Sequence, residues 1–223
     1  MRSALALAAL AACIDSPDPR WTLDHDRVVA ARATPPGIRA QGTAVLDALI
    51  AHAGAPTTVE APAAATAPVA PELVTFDGAS WRVMAPGDQA LASARTRLGL
   101  AADAPVPLEV VMSFPGPAGE RVVTKTVWLG TVADNPSVPA LQVAGLDVAD
   151  TVAIPRGEDT YLSLATTARV SWLTSCGTLF QDDEPTSYLH GDDACTGELA
   201  AVVRAPDGGV AWRTWPIAIE AAP

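Results

Sequence analysis

Glu198–Trp215 reads ELAAVVRAPDGGVAWRTW, and this stretch decides the fold. Leu199, Ala201 and Val203 alternate with residues of the opposite face, the two-residue period of a strand. Pro206-Asp207-Gly208-Gly209 then breaks the run with residues that tolerate positive φ, the chemistry of a tight reversal. Val210–Ile219 resumes the β-prone pattern. The whole is a β-hairpin, with strands expected over Glu198–Arg204 and Val210–Ile219.

Working back from the hairpin, β-prone runs recur at Ala140–Val143, Thr151–Ile154, Tyr161–Ala165, Arg169–Thr174 and Ser187–His190. Turn residues separate them at Gly145 and Pro155-Arg156-Gly157. Short strands at close spacing between turns predict a β-sandwich over residues 134–223, after a boundary at Asp134-Asn135-Pro136. Residues 24–133 read as a first sandwich. Arg27–Ala33 is a short apolar strand, Pro35-Pro36-Gly37 stops it, and Thr43–Ala51 returns as a second strand. Ala55–Pro71, punctuated by four prolines among alanines and threonines, reads as a long loop inside this domain. Leu73–Phe76 and Trp81–Met84 bracket the turn dipeptide Asp77-Gly78, and Leu108–Phe114 and Arg121–Leu129 flank a Pro/Gly turn. One helix is expected, over residues 88–98: Asp88 would cap it, Leu91, Ala94 and Leu98 share a face, and Gly99 closes it. Such a helix would cross between strands. The fold class is therefore all-β: two β-sandwich domains, the first with one inserted α-helix.

Two passages resemble immunoglobulin-like domains. Asp26–Ile50 is similar to the opening strands of such repeats in bacterial surface proteins. Trp172 stands where that family buries its core tryptophan. Cys176 and Cys195 do not match the family's usual disulfide between sheets.

The start of the chain suggests an address. Arg2 precedes an apolar stretch, Ala4–Ala12, too short to span a bilayer, and Leu10-Ala11-Ala12-Cys13 resembles the bacterial lipobox. The resemblance implies removal of residues 1–12 and a diacylglycerol on Cys13. Acyl chains bury about 0.8 kcal/mol per CH₂, so several make a lasting anchor. Ile14, in place of an aspartate after the lipidated cysteine, implies the outer membrane or cell surface. Residues 13–23 read as a tether holding the first domain off the lipid. With its acidic, alanine-rich composition, the chain resembles the immunoglobulin-repeat surface lipoproteins of predatory and soil-dwelling, myxobacterial-type bacteria. Partners on this reading are the membrane, through the acyl anchor, and an envelope protein or glycan.

Charge narrows the partners further. The 223 residues carry a formal charge of −11, and Lys125 is the only lysine among 14 basic residues. A phosphate backbone would be repelled, so nucleic acid is disfavoured. An exported chain with two remaining thiols is expected to pair them, Cys176 with Cys195, and closing that loop contributes about 3 kcal/mol. Inside it stand Asp182, Asp183, Glu184, Asp192 and Asp193, oxygen donors of the kind Ca²⁺ uses, though not at EF-hand spacing.

No serine-nucleophile elbow, zinc-protease helix, phosphate loop or Cys-x-x-Cys pair occurs, and no cofactor is expected. Only His25, His52 and His190 could serve as bases. Asp24-His25-Asp26 is the densest polar group, but neighbours on a strand point to opposite faces, so it reads as the solvated entry to a strand. Trp212 and Trp215, three apart, should also face opposite sides: one enters the core, and the other, with Trp128, would form an aromatic platform for a sugar or a partner. The expected function is non-enzymatic: a lipid-anchored envelope protein with a structural or binding role. An envelope hydrolase, an accessory lipoprotein of an envelope enzyme and a calcium-dependent adhesion module stand as alternatives.

Overall fold

Thr43–His52, TAVLDALIAH, organises the first half, because both of its faces are apolar where they meet other layers. In the computed structural model, which describes residues 19–117 and 119–220, the first half contains β1 (Arg27–Thr34), β2 (Gly37–Ile38), β3 (Thr43–His52), β4 (Ala55–Glu60), β5 (Ala64–Thr66), β6 (Val74–Phe76) and β7 (Trp81–Met84). Helix α1 (Asp88–Leu98), β8 (Val106–Gly116) and β9 (Gly119–Leu129) follow. One sheet runs β1-β3-β7-β6 with β4 also on β3, and the other runs β2-β9-β8-β5. Ala44, Leu46, Ala48 and Ile50 of β3 face Leu108, Val110, Met112 and Phe114 of β8 in the core between them.

The second half contains β10 (Leu141–Val143), β11 (Leu146–Val148), β12 (Val152–Pro155), β13 (Asp159–Leu164), β14 (Arg169–Thr174), β15 (Thr178–Phe180), β16 (Thr186–His190), β17 (Cys195–Arg204) and β18 (Val210–Glu220). The sheets are β12-β18-β17-β14 and β11-β10-β13-β16-β15. Trp172 and Trp215 are fully buried in the core between them with Leu162, Leu189, Leu199 and Ile217. The indole nitrogen of Trp172 donates to the Glu184 carbonyl at 2.8 Å, so this large ring is buried with its polar atom satisfied. Cys176 and Cys195 form a disulfide, Cα atoms 5.9 Å apart. It links the exit of β14 to the entry of β17, neighbours in one sheet, and so differs from a bridge between sheets.

The two sandwiches pack sheet against sheet. Leu49 and Ala51 of β3 and Ala30 of β1 point away from the first core, and meet Leu173, Ala200, Val202 and Val210, which point away from the second. Four sheets are therefore stacked in succession. The inner strands read as nearly continuous apolar runs, as strands covered on both faces do. Small residues (Ala30, Ala51, Ala200) let the inner sheets approach. Asn135, in the connection, donates to the Ala33 carbonyl at 2.9 Å and accepts from the Val210 amide at 2.8 Å, binding the connection to both halves. Glu198 accepts from the amide and hydroxyl of Thr57 at 2.8 and 2.9 Å across the same interface.

Four expectations need correction. Ala55–Pro71 is not a structureless loop: Ala55–Glu60 pairs with β3, the chain crosses at Ala61–Ala63, and Ala64–Thr66 pairs with β8 in the opposite sheet. Main-chain pairing supplies these strands, which expose most of their side chains and so carry no apolar period. Pro35-Pro36-Gly37 is a sheet-to-sheet crossing instead of a turn, because β2 pairs in parallel with β9. Gly37 is required there: a Cβ would lie 2.9 Å from that of Ala133. Helix α1 starts from Gly87 with no side-chain cap, and Leu98 is exposed, while Leu91 alone is buried. The described end of the expected tether is docked. Trp21–Leu23 runs parallel to β14, with Leu23 N–H donating to the Thr174 carbonyl and Thr174 N–H to that of Trp21, at 2.9 and 2.8 Å. Leu23 is buried between the domains, so this segment belongs to the second sandwich's edge.

Candidate functional site

The outer face of the β11-β10-β13-β16-β15 sheet carries its side chains in ordered rows. Along β13 the parity puts Asp159, Tyr161 and Ser163 outside and Leu162 and Leu164 inside; along β16, Thr186, Tyr188 and His190 are outside and Leu189 inside. Register then aligns the strands: Tyr161 opposes Tyr188, and Tyr188 opposes Phe180 of β15. Three aromatic rings thus cross three adjacent strands, exposed by 38, 41 and 51% in that order. The tyrosine rings meet edge to face with centroids 5.4 Å apart.

Polar rows flank the rings. On one side His190 Nδ1 is 2.7 Å from Asp159 and Thr178 donates to Asp192 at 2.6 Å. On the other, Ser163 opposes both Gln142 and Thr186, and the Gln142 amide donates to Asp147 at 3.1 Å. Leaving three rings half in water forfeits apolar burial, and a contiguous exposed patch with a polar rim is the usual form of a recognition surface. Sequence reasoning placed β13 and β16 but not β15, and missed the row. The available signal was an aromatic at the polar parity of Asp159-Thr160-Tyr161-Leu162 and of Thr186-Ser187-Tyr188-Leu189.

The aromatic platform expected at Trp212 and Trp128 is absent from the surface. Trp215 does enter the core and Trp212 does face the other way, but that side is the domain interface, where the Arg32 guanidinium covers its ring at 4.0 Å. Trp128 is half-buried beside Gly208, whose Cβ position would be 3.0 Å from its indole nitrogen. Both rings are walls of the junction between domains.

The acidic residues proposed for calcium do not converge. Arg20 holds Asp182 with two hydrogen bonds of 2.8 and 3.0 Å and reaches Asp183 at 3.5 Å. Arg156 pairs with Asp193 at 2.8 Å, Asp192 binds Thr178, and Glu184 contributes its carbonyl to Trp172. Arg20 and Arg156 hold Asp182 and Asp193 in separate ion pairs, and no cluster of three or more metal-ligating side chains occurs among the described residues.

Each histidine lies beside a carboxylate. His25 Nδ1 is 2.9 Å from Asp24, and His190 contacts Asp159. His52, expected as a turn residue, ends β3 with Thr58 at 2.8 Å, Glu60 at 3.1 Å and Asp26 at 3.6 Å. These groups stand on the surface of strands and turns. Cys13 lies outside the described residues.

A cleft between the domains holds most of the unusual electrostatics. Arg20, Arg27, Arg169 and Arg204 line a hollow of about 190 Å³. Arg204 and two valines of β1 join it to a second hollow of about 430 Å³, walled by Lys125 and Trp128. Burial pulls Arg27, Arg204 and Lys125 below their ordinary pKa values; beside Lys125, Arg204 adds to the effect, as Arg169 does beside Arg204.

No family model matches the sequence, and no curated protein matches it. Its likeness to solved structures is weak. The titin domains Z1Z2 in complex with telethonin are 13% identical over 87% of this chain and 98% of theirs, with a TM-score of 0.24. The tandem Ig repeats of Dlar are 10% identical over 86% of this chain and 98% of theirs, TM-score 0.31. The fibronectin(III)-like modules of Clostridium thermocellum CbhA are 11% identical over 86% of this chain and 95% of theirs, TM-score 0.30. The chain is an all-β protein of two stacked β-sandwiches.

Proposed function

We propose that this chain is a lipid-anchored cell-envelope protein that binds glycan chains on the outer face of its second sandwich. The observation that carries the reading is the row Tyr161–Tyr188–Phe180. Sugar rings present polarised C–H groups on one face and hydroxyls around the rim. Aromatic rings accept the first by stacking, and the flanking Asp159, Asp192, Gln142 and Ser163 offer acceptors and donors to the second. Tyrosine suits the task because its ring is rigid and its hydroxyl stays in water. A protein partner would more often be met by an apolar centre than by a single row between two hydrogen-bonding rows.

The anchor rests on Leu10-Ala11-Ala12-Cys13, and the outer membrane on Ile14. The mechanism is display: an acyl group at the membrane, stacked sheets as a stiff support, and a ligand face on the last sheet. Two measurements test the reading. The intact mass of protein from membranes should show residues 1–12 removed and acyl mass on Cys13; an unmodified, full-length mass rejects the anchor. Co-sedimentation with purified cell-wall polysaccharide should be strong for the native protein and lost in Tyr188→Ala; equal sedimentation of both rejects the face.

A further inference from the structure

We infer that the cleft between the two sandwiches is a second binding site, for a small polyvalent oxyanion bearing phosphate or carboxylate groups. Five of the 14 basic residues of a chain charged −11 line its two hollows. Asp182 and Asp183 also line the smaller hollow, and they pair there with Arg20 and Arg169. The deeper cations are not paired in that way. Among the described residues Arg204 donates to the Ser171 hydroxyl at 2.8 Å and Lys125 to the Gly208 carbonyl at 2.5 Å, both neutral acceptors. Arg27 donates to the Arg20 carbonyl at 2.7 Å, while its Nε is buried with no partner.

Holding like charges together in a half-buried place costs stability, and nothing in the fold demands it: apolar side chains would glue the two inner sheets better. Such an arrangement is sustained where an absent counter-charge completes it. Guanidinium forks match the paired oxygens of phosphate and carboxylate, whereas lysine supplies a point charge, and the cleft contains both. Its volume suits a small anion in preference to a polymer. The site stands apart from the aromatic row, so either can fail without the other.

The test is thermal unfolding of the purified full-length protein with sodium pyrophosphate or citrate, each against sodium chloride of equal ionic strength. A ligand that binds only the folded state raises the midpoint in a saturable way. We expect a rise of roughly 5 °C at saturation for at least one of the two anions. Arg204→Gln should weaken the apparent affinity at least tenfold, and so should Arg169→Gln. Because the Arg169 side chain is 64% exposed, that second variant decides the matter if Arg204→Gln does not fold. The response to pyrophosphate against citrate separates phosphate from carboxylate recognition. A native midpoint that moves no further with either anion than with sodium chloride overturns the inference, as does an equal shift in a folded Arg204→Gln or Arg169→Gln protein.

Discussion

Arg32, on the first sandwich, stands over the indole of Trp212, on the second, with its guanidinium carbon 4.0 Å from the ring centroid. The same guanidinium binds both oxygens of Asp47 at 2.9 and 2.6 Å, which fixes its plane. One side chain thus closes the edge of the domain interface. Trp212→Ala should cost about 3 kcal/mol. A double-mutant cycle with Arg32→Ala should return a coupling of about 1 kcal/mol, read from denaturant unfolding. Coupling indistinguishable from zero would mean that the stacking contributes nothing to holding the domains together.

Close approach of the inner sheets depends on small side chains at their contact. Ala200→Leu should force the layers apart at a cost of about 1–3 kcal/mol and split calorimetric unfolding into two transitions, one for each sandwich. Ala153→Leu, on the exposed face of β12, serves as the control and should leave a single transition. Two transitions already present in the native protein would count against one cooperative stack.

The disulfide closes a loop within the second sandwich. Cys176→Ser with Cys195→Ser removes a loop closure worth about 3 kcal/mol. The loss should appear as a fall of that size in the single unfolding transition of the stack, read from denaturant unfolding, and an unchanged midpoint would show that the closure contributes nothing.

Asp77 supplies the pH dependence of one local element. Its carboxylate accepts the Ala79 and Ser80 amides at 2.9 and 2.8 Å, and these bonds, followed by Arg82, hold its pKa below the ordinary aspartate value. A depressed carboxyl pKa means that the folded form binds its proton less readily than the unfolded form. The turn's contribution is therefore complete above the unfolded pKa and is lost as pH falls through the folded one. Protection of the Ala79 and Ser80 amides, taken relative to their intrinsic exchange at each pH, should fall on acidification below the usual aspartate range. In Asp77→Asn that acid-dependent step should vanish.

Strand parity was legible in the sequence wherever one face was buried. Leu199, Ala201 and Val203 announced the core face of β17, and the Asp207-Gly208-Gly209 reversal fixed its partner. The same residues hid the interface: Ala200 and Val202, on the other parity, are as buried as their neighbours, and a sequence of small apolar residues does not say what covers them. Trp212 and Trp215 were read as facing opposite sides without saying which lay inside, and the one outside the core was given the wrong surroundings for that reason. Three-residue strands such as β11 and β15 have too few positions to show a period, so β15 went unread and Phe180 with it. The cationic cleft was invisible because Arg27, Lys125 and Arg204 are far apart in sequence and meet only through the stacking of the two sandwiches.

The account turns on the aromatic row of the outermost sheet, and calorimetric titration tests it most directly. Hexasaccharides of glucose and of N-acetylglucosamine are titrated into the native protein and into Tyr188→Ala and Phe180→Ala. Both replaced rings are partly in water, so melting should change little. The expected result is saturable heat with at least one oligosaccharide and a loss of affinity of tenfold or more in each variant. No heat from the native protein with either sugar, or equal heat from protein lacking the Tyr188 ring, contradicts the assignment.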